Sequence, residues 1–121
     1  MQLTTQSVQQ FIGGQLEVRN PGEGYLYRGE IATAVVEDNE FRVTCAWMAK
    51  MGEDGKWTKD GELNYAASLE IYSVSDIGPG TEGSNRLCLQ SRIVGETVVL
   101  FPPDGSNLDR AQIEGLEPVP A

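Results

Sequence analysis

Tyrosine and arginine side chains are the residues here whose types and spacing could do chemistry. Tyr25 and Tyr27 stand two apart, Tyr65 and Tyr72 follow, and Arg28, Arg42 and Arg92 fall in or beside strand-like segments. Aromatic faces next to guanidinium groups suit stacking on unpaired bases or on a protein surface. Trp57, inside GEDGKWTKDG, carries two readings: an exposed binding aromatic, or a ring folded back over the end of a sheet. Trp47 shares strand parity with apolar neighbours and reads as core, because an indole is a large apolar load. The candidate binding set is therefore Tyr25, Tyr27, Arg28, Arg42, Trp57, Tyr72 and Arg92.

Catalytic vocabulary is sparse. The chain has no histidine, which removes the common serine and cysteine triads, the usual general base and imidazole zinc sites. Gly78-Pro79-Gly80-Thr81-Glu82-Gly83 lacks the Lys-Ser/Thr ending of a phosphate loop and leads into a strand, so it reads as a plain loop. Acidic residues gather at Glu37, Asp38 and Glu40, and again at Glu53, Asp54, Asp60 and Glu62. Neither group has the spacing of a calcium loop, and both read as solvated turns. No catalytic residue, metal ligand or cofactor is assigned.

Charge narrows the partners. Nine basic against 18 acidic residues leave a net charge of −9 and an isoelectric point near 4.3. Such a surplus opposes nonspecific binding to phosphates and docking on anionic lipid. It favours solubility, or a partner with a basic surface. The opening MQLTTQSVQQ has neither the basic start nor the apolar stretch of a secretory signal. No run approaches the roughly 20 apolar residues of a membrane helix. Cys45 and Cys88 accordingly read as reduced thiols of a cytoplasmic protein, able to pair only if their strands are neighbours.

The elements that must position these residues are mostly strands in a single domain over residues 1–121. Leu3 to Ile12 predicts a short helix, capped by Thr4 or Thr5, with Leu3, Val8, Phe11 and Ile12 on one face and Gly13-Gly14 as its stop. The period then becomes two over residues 15–101. Leu16 and Val18 alternate with polar neighbours, and Asn20 to Gly24 is a turn. A long strand from Tyr25 to Val36 has Gly29 at its centre, the mark of a bend or bulge. Phe41, Val43, Cys45 and Trp47 alternate cleanly, and Gly52 to Gly61 reads as a flexible connection. Ala67 to Ile71, Leu87 to Ile93 and Thr97 to Phe101 complete the strands; Pro102-Pro103 ends them, and residues 102–121 form a tail with weak helix at Leu108 to Ile113. The pattern predicts a mainly β protein: a small, strongly bent antiparallel barrel behind a short N-terminal helix, with a small β-sandwich as the alternative.

Phe11 to Val36 (FIGGQLEVRNPGEGYLYRGEIATAVV) and Ile93 to Val99 (IVGETVV) resemble the Sm and Sm-like proteins, small barrels related in shape to SH3 domains. The first matches that family's helix exit, first strand, turn and long second strand. The second is similar to its isoleucine-arginine-glycine motif. Val94 stands where the family has arginine, and Glu37 to Phe41 does not supply its aspartate and asparagine, so only Gly95 carries over, as a backbone turn. The resemblance implies a barrel and ring assembly by edge-strand pairing; it does not imply RNA binding. The expected function is a noncatalytic binding or assembly module with a homo-oligomer or protein partner, self-associating through edge strands. Single-stranded nucleic-acid (RNA) binding is the alternative, disfavoured by charge. A carboxylate- or metal-dependent enzyme comes third.

Overall fold

A reciprocal cap starts the only α-helix among the described residues. The Ser7 amide donates to Thr4 Oγ1 at 3.1 Å, and the Thr4 amide donates to Ser7 Oγ at 2.9 Å. The computed structural model describes residues 4–20, 22–61, 64–68, 72–79, 85–91, 96–103 and 107–115, and places this helix, α1, at Thr5–Gln9. It is shorter than the periodicity predicted: Ile12 lies past its end and is exposed, while Val8 and Phe11 are fully buried. Thr5 Oγ1 ties α1 to the sheet, donating to the Val36 carbonyl and accepting from the Val36 amide, both at 2.9 Å.

The strands are β1 (Gln15–Asn20), β2 (Tyr25–Glu37), β3 (Glu40–Met51), β4 (Trp57–Asp60), β5 (Asn64–Ser68), β6 (Tyr72–Pro79), β7 (Asn85–Ser91), β8 (Thr97–Phe101) and β9 (Ile113–Glu114). They form one mixed sheet in the order β6-β7-β8-β1-β2-β3-β4-β9, with β5 also on β3. Every pairing is antiparallel except β4 with β9. The hairpin between β2 and β3 turns on Asp38 and Asn39, both at positive φ (53° and 61°), as a two-residue turn matching strand twist requires.

Mainly β structure behind a short helix is thus what forms, but the predicted closed, strongly bent barrel is corrected. Among the described residues the ladder runs from β6 to β9 with β5 branching from β3, and no pairing joins these edges; nor do the strands divide into the two sheets of a sandwich. The physical cause lies in β3. Its first half pairs with β5 and its second half with β4, which arises within the Gly52 to Gly61 segment expected to be a loop. That extra strand pairs with β9, from the predicted helical tail, along its far edge. The tail's helical signal survives as one 3₁₀ turn, Arg110–Gln112.

One face of the sheet holds the main core: Leu16, Ile31, Phe41, Leu87, Leu89 and Leu100 are at most 1% exposed and cluster with Val8 and Phe11. The second face is covered too. Trp47 and Ala49, at the same parity as Phe41, Val43 and Cys45, nevertheless leave their face and join Ile113, with Trp57 and Leu108 packed against them. The switch occurs where the register skips: Ile31 pairs with Cys45, Glu30 with Trp47, and Ala46 is the extra residue of a bulge. Gly29 sits next to it. A Cβ there would strike Met48 Sδ and lie 2.9 Å from Cys45 Sγ and 3.0 Å from the Trp47 carbonyl oxygen.

Both cysteines are thiols, and their strands, β3 and β7, are not neighbours. Burial, and secondarily the charge of Glu30, push the Cys45 thiol from 9.0 up to about 12. The folded protein therefore holds this proton where the unfolded chain releases it. The stability it contributes is complete below pH 9 and declines as pH rises from 9 toward 12. Native protein at pH 8 should leave Cys45 unmodified by iodoacetamide until denaturant is added. Rapid native alkylation at that residue would contradict the burial.

Candidate functional site

Alternation along β2 puts Tyr25 and Tyr27 on one face, and the β1 register sets Tyr27 opposite Val18. Their rings lie 5.6 Å apart between centroids and are tilted by 47°. β5 brings in Tyr65, which pairs across from Val43, and the residue preceding β8 is Glu96. The four side chains converge on a cleft of about 290 Å³, lined also by Val18, Met48, Asp60 and Asn64. Val18 and Met48 are core residues, so the cleft reaches down to the buried interior.

Glu96 organises the walls. Tyr25 Oη donates to its Oε2 at 3.0 Å, and Tyr65 Oη donates to its Oε1 at 3.2 Å. Partial burial first, then the hydrogen bond to Glu96 and its charge, hold the Tyr25 phenol above its ordinary pKa of 10.0. Tyr25 consequently stays a neutral donor at physiological pH. Lys50, opposite Tyr27 on β3, carries its Nζ 5.9 Å from the Tyr27 ring centroid. The arrangement offers aromatic surface, an apolar floor and two carboxylates, Asp60 and Glu96. Glu96 is engaged by both phenols, and Asp60 stands at the same cleft.

Of the residues singled out from the sequence, Tyr25 and Tyr27 line this cleft, whereas Arg28, Arg42 and Trp57 do not join it. Arg28 has the opposite parity. Its guanidinium donates to Glu17 Oε1 at 3.0 Å and Gln15 Oε1 at 2.9 Å and lies 4.3 Å from the Phe101 ring centroid. Gln15, only 3% exposed, in turn bonds both the amide and the carbonyl of Leu108, so Arg28 braces the covering segment. Arg42 is exposed and paired with Glu40 at 2.8 Å. Trp57 stands in β4 rather than in a loop, half-buried against Trp47 and Ile113. Tyr72 lies in β6 with its side chain outside the described residues, as is the whole of Arg92. Residues that local pattern passed over are Glu96, Asn64 and Met48; Asp60 reads from sequence as part of a solvated acidic turn, and Tyr65 as one of four tyrosines suited to line a surface.

Among the described residues no three acidic or cysteine side chains come together in a way that could hold a metal ion. Asp54 Oδ1 accepts from the Lys56 amide at 3.0 Å within a turn, and Glu40 is engaged by Arg42. No described helix is long and apolar enough to cross a membrane. Comparison with known proteins finds no matching family model, no matching curated protein and no matching solved structure.

Proposed function

We propose that this protein is a noncatalytic binding module whose ligand-facing surface is the tyrosine cleft. The observation that carries the reading is the fixed orientation of Tyr25 and Tyr65 by the two oxygens of one glutamate, above a floor of buried core side chains. Orientation before binding lowers the entropic cost of association, which is what a recognition surface needs. Concave, largely apolar clefts with a few converging polar groups are the usual form of a small-ligand site.

Amide-resolved NMR of the protein mixed with phenyl- and indole-bearing fragments tests it. Shift changes should cluster at Tyr25, Tyr27, Tyr65 and Glu96. Perturbations confined to other surfaces would refute the reading.

An assembly role through sheet edges, of the kind the Sm-like resemblance implies, is the second reading. It is favoured by the succession of a short helix, β1 and a long β2 with a register break, and by β8 pairing back onto β1. β6 and β9 end the ladder among the described residues, and such edges pair with further strands. Sedimentation equilibrium on the same sample separates the two: a monomer at every concentration retains the cleft and removes the assembly. For nucleic acid the cleft is unpromising, because Arg28 and Arg42 are both engaged by carboxylates elsewhere.

A further inference from the structure

We infer that the cleft takes a trimethylammonium head group; the inference rests on the binding-module reading and names its ligand class. Three tyrosine rings line the cavity, and the negative faces of aromatic rings attract cations. The 47° tilt between Tyr25 and Tyr27 makes an angled wall. Such a wall cups a round group, whereas a planar guanidinium or base stacks best between parallel faces. Asp60 and Glu96 supply negative charge, and among the described lining residues there is neither lysine nor arginine.

The hydrogen-bonding pattern separates a methylated ammonium from a primary one. Both phenol hydroxyls of Tyr25 and Tyr65 are directed at Glu96, which leaves ring faces and the Val18–Met48 floor for the ligand. A primary ammonium entering there would give up hydration of three N–H groups, with only Asp60, Glu96 and Asn64 to replace it beside the apolar floor. A trimethylammonium has no N–H to satisfy and presents methyl groups to the floor. Lys50 bears on the same point, since its ammonium lies 5.9 Å from the Tyr27 ring. That side chain repels an incoming cation and competes for one ring.

The test is a titration of the folded chain with choline, followed by NMR at Tyr25, Tyr27 and Tyr65. The comparison ligand is 3,3-dimethylbutan-1-ol, its uncharged analogue of the same shape. Choline should bind about tenfold more tightly than the alcohol, the size of a partly desolvated cation–π attraction. Glu96→Gln removes the charge and one of the two acceptor oxygens and should weaken choline roughly fivefold, while Lys50→Gln should tighten it by about twofold with an unchanged melting temperature. Nα-acetyl-trimethyllysine methylamide and choline form two arms, and the tighter one identifies a peptide or a small-molecule source. Equal binding of choline and the alcohol, equal binding of butylammonium, or weakening by Lys50→Gln overturns the cation assignment and leaves the module standing. If neither these ligands nor the aromatic fragments shift the cleft, both readings fall.

Discussion

Trp47→Ala lowers the stability of this protein by about 4 kcal/mol and releases the segment that carries β9. Removal of a buried aromatic loses its transfer free energy and leaves a cavity, together worth roughly 3–5 kcal/mol. Trp47 is 2% exposed and is the largest fully or nearly fully buried side chain of the second cluster. Its partners are Ala49, Ile113, Trp57 and Leu108, and no larger apolar residue stands by to fill the gap. The loss should concentrate where the cluster is the main support, at the short parallel ladder pairing Trp57 with Ile113 and Thr58 with Glu114. Urea denaturation measures the total, and amide exchange at Thr58 and Ile113 measures its location. Trp47→Phe should cost less, about 1–2 kcal/mol, because the indole Nε1 has no hydrogen-bond partner among the described residues and its removal strands nothing. Equal costs for the two variants would show that the ring's polar edge, not its volume, holds the layer.

Gly14→Ala is expected to cost about 3 kcal/mol, the upper end of what overpacking produces. A Cβ at Gly14 would fall on the Phe101 carbonyl oxygen, 2.8 Å from the Pro102 carbonyl carbon and 3.0 Å from that of Phe101. All three are backbone atoms. They cannot rotate aside as a side chain does, so relief requires β8 to move away from β1. That motion is opposed by the ladder beginning at Gln15 and Phe101, and by the Ile31 amide donating to the Gly14 carbonyl at 2.9 Å. Gly29→Ala makes the informative comparison. There the closest atom is the end of the flexible Met48 side chain, although Cys45 Sγ and the Trp47 carbonyl oxygen also crowd the site. Its cost should be smaller, near 2 kcal/mol, with a visible change at the cleft that Met48 lines. A Gly14→Ala variant within 0.5 kcal/mol of the parent, an order-of-magnitude bound for a neutral substitution, would mean that the close approach of β1 and β8 is not maintained in solution.

Both substitutions act at places where local pattern and tertiary packing disagree. Period-two alternation correctly marks Leu16, Val18, Phe41, Val43 and Cys45 as facing the core. Extending that alternation to Trp47 places the ring on the same face, whereas the bulge at Ala46 turns it to the other. Arg28 shows the opposite case. Nearness in sequence grouped it with Tyr25 and Tyr27 against its opposite parity, and the structure finds it on the other face, bonded to Glu17 and Gln15. Trp57 was legible as an aromatic in need of a surface; what covered it was not.

For the candidate site, the two tyrosines of β2 were within reach of the sequence because alternation is local. Glu96 was not. It lies 71 positions from Tyr25 and 31 from Tyr65, and a single glutamate before a short apolar run carries no signal of the phenols that will meet it. The residues alone determined that the chain is mainly β, starts with a capped helix and turns at Asn20 to Gly24 and at Asp38-Asn39, since each follows from side-chain alternation or from backbone preferences of a few neighbours. Tertiary structure decided the rest. The sheet stays open, Trp57–Asp60 within the Gly52 to Gly61 segment becomes a strand, the tail covers a second apolar layer and Glu96 joins the tyrosines, because each depends on surfaces that meet only after distant strands have paired.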